Sequence, residues 1–188
     1  MEPIHQAAWD GDVAAIDRLV AEDGERLNVQ IEGNDEEVDD CLVSGCSPLM
    51  LAAWKGNDAA VARLVALGAD AGLQSVRGSF ATHWACSGGH SPSLASLFYA
   101  GASMTARNNH GRTPLMVAAA QGATDCVALL LLLRLGDGVG EQLGMVDNNE
   151  GSAAHLACWF NHPGCAARCR CFDGCAQRPG TDSAYGSG

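Results

Sequence analysis

Lysine is nearly missing from this chain of 188 residues: Lys55 stands alone beside ten arginines, and 22 aspartates and glutamates leave a formal net charge of −11. A surface of that sign repels a phosphate backbone, so nucleic acid is excluded as the expected partner. Long apolar runs are missing too. The most apolar stretch, Val127 to Leu133, is closed by Arg134 and Gly136, well short of the roughly 20 residues that cross a bilayer. It reads as a buried helix. Met1 leads straight into patterned sequence, without a basic segment followed by an apolar one, so the chain is expected to stay inside the cell, in cytoplasm or nucleus.

Catalytic signatures are equally scarce. Leu135-Gly-Asp-Gly-Val-Gly is glycine-rich but follows a helical pattern rather than a strand, and it lacks the Lys-Ser or Lys-Thr ending of a phosphate loop. No nucleophile elbow occurs. Carboxylates cluster chiefly at Glu32, Asp35, Glu36, Glu37, Asp39 and Asp40, in a segment without the held geometry that acid–base work requires. The sequence therefore supports neither an enzyme nor a cofactor.

What the chain does contain is one phrase said five times. Glu2-Pro-Ile-His-Gln-Ala-Ala-Trp, Ser47-Pro-Leu-Met-Leu-Ala-Ala-Trp, Phe80-Ala-Thr-His-Trp-Ala-Cys, Thr113-Pro-Leu-Met-Val-Ala-Ala-Ala and Ser152-Ala-Ala-His-Leu-Ala-Cys-Trp share a pattern, and Ser47, Phe80 and Thr113 are 33 residues apart. A period of that size signals stacked helical units. Each copy continues with a glycine (Gly11, Gly56, Gly89, Gly122) and then aliphatic residues at steps of three and four, such as Val61, Leu64 and Val65. That spacing puts them on one buried helical face. The Ala-Ala and Ala-Cys pairs let neighbouring helices approach closely, the glycine turns the chain between two antiparallel helices, and Pro48 and Pro114 suit a first helical turn behind the caps Ser47 and Thr113, with Ser152 placed to cap in the same way.

These residues resemble the ankyrin repeat. Its Thr-Pro-Leu-His-x-Ala motif is nearly intact at Ser47 to Ala52 and Thr113 to Ala118, and Gly68 to Asp70 and Gly101 to Ser103 fit the segment that follows the second helix. The resemblance implies an all-α solenoid of helix-turn-helix units with short hairpin fingers, about four intact repeats and a degenerate fifth. The expected layout is an ankyrin-repeat domain over 1–176. It divides into repeat 1 (1–30), an acidic insertion (31–44), repeat 2 (45–77), repeat 3 (78–110), repeat 4 (111–150) and degenerate repeat 5 (151–176), and a disordered tail follows at 177–188. The fifth copy is weak because Cys165-Ala-Ala-Arg-Cys-Arg-Cys-Phe replaces the aliphatic pair, with Arg170 where Val20 and Val65 stand earlier. Its polarity fits a cap and fits a truncated end.

Histidines and cysteines invite a metal reading, against which the repeat register weighs. His5, His83 and His155 share one motif position, and His90 and His162 share another. Ligands one repeat apart do not converge on one ion, and in ankyrin repeats such histidines bond between units. An odd number of cysteines, nine, in a chain read as intracellular predicts mostly reduced thiols. Cys86, Cys126, Cys158 and Cys165 sit where small buried residues belong, which leaves Cys169, Cys171 and Cys175, without a Cys-x-x-Cys pair, for a zinc or redox module.

The tryptophans carry the strongest functional signal. Trp9, Trp54 and Trp159 fall at one motif position, which the resemblance places in the concave groove that varies with the partner. Exposed indoles are enriched at binding hot spots, and the competing reading is that they fill space against adjacent helices. Trp84 falls earlier in the motif and reads as packed. The groove neighbours are Asp10, Lys55, Ser87, Gly88, Ala120, Gln121 and Phe160, with Arg77, Arg107, Asn109, His110 and Arg112 at the fingertips. The acidic insertion either steers a basic partner or is a solvated loop. The expectation is a non-enzymatic, monomeric interaction module or adaptor that binds another protein, with no metal and no cofactor. The alternatives are a truncated remnant of a larger ankyrin protein and a Cys-rich zinc or redox module at the carboxyl end.

Overall fold

The computed structural model describes residues 2–32, 43–133 and 143–169. They form consecutive pairs of short helices: α1 (Pro3–Asp10) with α2 (Val13–Glu22), α3 (Pro48–Lys55) with α4 (Asp58–Ala66), and α5 (Ala81–Gly88) with α6 (Ser91–Tyr99). The series continues with α7 (Pro114–Gln121) beside α8 (Thr124–Leu132), then α9 (Ala153–Trp159) beside α10 (Pro163–Arg168), and a 3-10 turn, Gly24–Asn28, follows α2. Among the described residues the only β-type pairing is an isolated bridge between Val146 and Ser152. The all-helical expectation holds.

Local chemistry starts and stops these helices as the sequence indicates. The Ser47, Thr113 and Ser152 side chains accept the amides of Met50, Met116 and His155, each at 3.4 Å, and Pro48 and Pro114 occupy the first turn. Each cap satisfies an amide that the helix itself leaves unpaired. Gly11, Gly56, Gly89 and Gly122 end α1, α3, α5 and α7 in the left-handed conformation. In the fifth pair the non-glycine Asn161 takes that conformation at φ 58°.

The odd-numbered helices pack side by side as an inner layer, and the even-numbered helices form an outer layer against them. Between the layers runs one apolar core, with Leu49, Leu51, Leu64, Leu94, Leu97, Leu115, Met116 and Leu130 fully buried. The alanine and cysteine pairs Ala52–Ala53, Ala85–Cys86 and Ala118–Ala119 are wholly enclosed at the inner-layer seam, where the lack of bulk sets how near the helices come.

Between pairs the chain runs out into tight fingers that repeat one hydrogen-bond scheme. Ser75 N donates to Ser79 O, Asn108 N to Arg112 O, and Asp147 N to Gly151 O, each at 3.0 Å. Most of the acidic insertion, the glycine-rich segment after α8, Arg170, Cys171, Cys175 and the 177–188 tail lie outside the described residues.

Candidate functional site

The inner layer presents an aromatic ladder. The Trp9 and Trp54 rings meet edge-on with centroids 5.5 Å apart, and Trp54 meets Trp84 at 5.2 Å. Register explains the third member. Ser87 occupies in α5 the place that Trp54 holds in α3, and the small side chain leaves space that Trp84, one turn earlier on the same helical face, fills. Trp84 is 8% exposed, and its indole N–H is buried without a partner among the described residues. Assigning each tryptophan by motif position alone misses this rung, whereas the three-residue step from Trp84 to Ser87 signals it.

The Lys55 ammonium lies 4.2 Å from the Trp9 ring centroid, a cation–π contact at an exposed position. Asp10, also exposed, accepts from Gln6 Nε2 at 2.8 Å. Further along the layer Ser87, Gly88 and Ala120 are half-buried and Gln121 is exposed, which gives a low floor of small residues. Trp159 and Phe160, at the far end, are 53% and 40% exposed. The aromatic positions therefore differ: Trp9 and Trp54 are half-buried by stacking, while Trp159 stands in solvent over half its area.

At the fingertips, several expected contact residues bond to a neighbouring finger. Asn109 Nδ2 donates to Val76 O at 3.0 Å, and Asn148 Nδ2 repeats the bond to Asn109 O at 2.9 Å. Arg107 Nη2 donates to Val146 O at 2.7 Å. Arg112 Nε reaches the fully buried carboxylate of Asp147 at 3.2 Å. Asn109 and Arg107 remain exposed while making these bonds, Arg112 is half-buried, and Arg77 and His110 are exposed without a described side-chain bond. Gly78 and Gly111 have positive φ, and a β-carbon on either would strike the asparagine of the following finger.

His5, His83, His90 and His162 make structural contacts between units. His5 Nε2 donates to the carbonyls of Val29 (3.0 Å) and Cys46 (3.2 Å), so it spans two repeats. His83 does the same: Nε2 donates to Arg112 O at 2.9 Å, while Nδ1 accepts from Phe80 N. Burial pushes His83 down to about 4 and lowers His5, so both rings are neutral at pH 7. His90 and His162 lie over Gly56 and Gly122 of the preceding unit.

Cys46, Cys86, Cys126, Cys165 and Cys169 are free and buried. Burial pushes Cys46 up to about 12 and Cys169 to about 11, and raises Cys86, which is hydrogen-bonded to Cys126. Protonated, enclosed thiols are poor ligands and poor nucleophiles. Cys158 departs from the reduced-thiol expectation, being disulfide-bonded. No group of His, Cys, Asp and Glu among the described residues is arranged to hold a metal ion.

A stack of helix pairs joined by fingers can now be compared with known proteins. The family described as ankyrin repeats (3 copies) matches residues 49–142 and 82–168. The chain belongs to the ankyrin-repeat family. Among solved structures, the human ASB11 ankyrin repeat domain superposes with a TM-score of 0.69 at 21% identity, covering 90% of this chain and 68% of that one. At that identity the likeness concerns the fold. Comparison with curated proteins returns no match. Ankyrin repeats are in general protein–protein interaction modules, and no helix among the described residues is long and apolar enough to cross a membrane. The ankyrin inner layer and fingers hold all the contact positions named from sequence; they join Trp9, Trp54 and Lys55 directly and leave Trp159 and Phe160 apart, at the opposite end.

Proposed function

We propose that this ankyrin stack is a non-enzymatic binding module that captures a partner protein on the face made by its inner helices and fingers. The observation that carries this reading is the aromatic row itself. Half-exposed Trp9 and Trp54 and the largely exposed Trp159 and Phe160 occupy a layer whose middle positions Ser87, Gly88 and Ala120 are small, so apolar area stands open to solvent on one side of the body. Exposed aromatic area of this kind marks interaction surfaces, and tryptophan dominates binding hot spots. The surface is pre-formed: the helices are capped and the fingers are stitched to one another, so little conformational freedom is lost on binding.

Within this reading the chain works as a monomer inside the cell, and Asp10, Ser87, Gln121 and His110 line the same face. The test is affinity capture from a lysate of the source cell, comparing the wild-type chain with a Trp9→Ala, Trp159→Ala variant whose circular dichroism matches the wild type. A protein retained by the wild type and lost by the variant is the expected result. Retention of the same set by both variants sinks the reading.

A further inference from the structure

Charge is distributed unequally between the two layers of repeats 2 to 4. Residues 43–57, 71–90 and 100–123, which build three inner helices and the two fingers at Ser75–Ser79 and Asn108–Arg112, contain Lys55, Arg77, Arg107 and Arg112 and not one aspartate or glutamate. Up to α8 the described carboxylates of these repeats are elsewhere: Asp58 and Asp125 sit in the first turns of the outer helices α4 and α8, and Asp70 lies in the turn after α4, while Asp147 and Glu150 belong to the finger after α8. In a chain of net charge −11, a face bearing four cations is a local reversal of sign. Asp147, from the following finger, engages Arg112. Lys55, Arg77 and Arg107 remain exposed, and among the described residues the Arg107 guanidinium bonds a carbonyl and no carboxylate.

These three cations stand at two edges of the face. Arg77 and Arg107 project from two successive fingers along one edge, and Lys55 marks the carboxyl end of α3 at the other. The eight residues of α3 separate the edges by about 12 Å at the helical rise. Trp54, Ser87, Gly88 and Ala120 lie at the Lys55 edge, in the last turns of α3, α5 and α7. Resting on the interaction-module reading, we infer that the partner is an acidic polypeptide segment, its carboxylates meeting Arg77, Arg107 and Lys55 and its apolar side chains lying on the Trp54–Ser87–Ala120 floor. Like charge elsewhere on the chain repels the same segment, so encounter is directed to this one face. Guanidinium groups suit carboxylates because their forked donors match both oxygens.

The test uses the full chain and a fluorescein-labelled peptide that alternates glutamate and leucine, titrated by anisotropy at about 50 mM salt. A lysine–leucine peptide and single-stranded oligothymidine serve as comparison probes. The glutamate peptide is expected to bind, to lose affinity as salt rises, and to weaken about ten-fold in the Arg77→Gln, Arg107→Gln double variant, with a smaller loss in Lys55→Gln. Arg77→Gln alone is the safeguard on folding, since Arg77 is exposed and makes no described side-chain bond. Equal or tighter binding of the lysine peptide overturns the inference, as does preference for the oligonucleotide, no binding of the glutamate peptide, or indifference of its binding to the arginine variants. The two readings fail separately. A lysate partner that depends on Trp9 and Trp159 but ignores Arg77 and Arg107 leaves the module standing and removes the acidic partner.

Discussion

His90 lies over the α-carbon of Gly56, so close that a β-carbon there would penetrate the imidazole ring. His162 stands in the same relation to Gly122, so the contact joins the second unit to the third and the fourth to the fifth. Both glycines also hold positive φ, 73° and 71°. Gly101 has φ 80° but nothing within reach of a β-carbon. Gly101→Ala is therefore expected to cost about 1–2 kcal/mol from backbone strain alone. Gly56→Ala and Gly122→Ala add a steric displacement of about 1–3 kcal/mol. Urea denaturation of the three variants checks the order, and equal losses would refute the packing role of the histidines.

The end of the stack shows the reverse case. Glu150 adopts φ 62° at the finger position that Gly78 and Gly111 hold in earlier units. Those two glycines are pressed by Asn109 and Asn148 of the next finger, so sterics as well as backbone strain bar a side chain from them. Glu150→Gly removes about 1 kcal/mol of backbone strain together with the side chain's own interaction, and the thermal midpoint rises where the strain is the larger. Gly78→Glu and Gly111→Glu are expected to unfold the neighbouring fingers. A fall in midpoint for Glu150→Gly would show that the glutamate side chain contributes more than the strain it imposes.

Much of this was legible beforehand, because the constraints are local or periodic. Ser47, Thr113 and Ser152 cap as their spacing to the helices requires, and Leu49, Leu64, Leu94, Leu97 and Leu130 are buried as the steps of three and four demand. The ladder was read only in part, because Trp84 reaches Trp54 through the absence of bulk at Ser87, a relation between two helices. The fingertips were the least legible. Which carbonyl Arg107 meets, and that Arg112 meets a buried Asp147, depends on how one finger registers on the next, and the repeat period does not encode that offset.

Acid should weaken the fold through His83. Its ring is 2% exposed and neutral, donating from Nε2 to Arg112 O and accepting at Nδ1 from Phe80 N. Burial lowers its folded-state pKa from 6.5 to about 4. The unfolded chain therefore binds a proton through a range in which the folded chain does not. The contribution is fully present above about pH 6.5 and is lost as pH falls toward 4, at about 1.4 kcal/mol per pH unit, on the order of 3 kcal/mol over the window. His5, also lowered by burial, adds in the same direction. Guanidinium denaturation at pH 7 and pH 5 is expected to show the loss, with a shallower slope in His83→Gln. An unchanged slope in that variant would assign the acid sensitivity to other groups.

The Trp9–Trp54–Trp84 ladder should behave as a unit. Trp54 touches both neighbours, at 5.5 and 5.2 Å between centroids, so removing it exposes two rings at once. Trp54→Ala is expected to cost about 3 kcal/mol or more, and a double-mutant cycle between Trp9 and Trp54 should give about 0.5–1.5 kcal/mol of coupling. Trp84→Phe keeps most of the ring area and removes a buried N–H that has no described partner, so its cost should stay under about 1 kcal/mol. Chemical denaturation followed by circular dichroism measures all of these, and additive effects of Trp9→Ala and Trp54→Ala would dissolve the ladder into separate contacts.

Thiol chemistry separates the interaction-module reading from a redox or zinc one. Cys46, Cys86, Cys126, Cys165 and Cys169 are buried and free, and burial holds Cys46 at about 12 and Cys169 at about 11. The thiolate is the reactive form: burial raises Cys46, Cys86, Cys165 and Cys169, whereas the hydrogen bond with Cys86 lowers Cys126, which is kept from reagent by its enclosure. Brief treatment of the native protein with iodoacetamide, followed by peptide mass spectrometry, is expected to leave those five cysteines unmodified, and treatment in denaturant should alkylate all five. Zinc added to the native protein should not change the pattern, because no described cluster is built to receive it. Rapid native alkylation of Cys165 or Cys169, or its suppression by zinc, would place working thiols at the end of the stack and return the cysteine-rich module to the leading position.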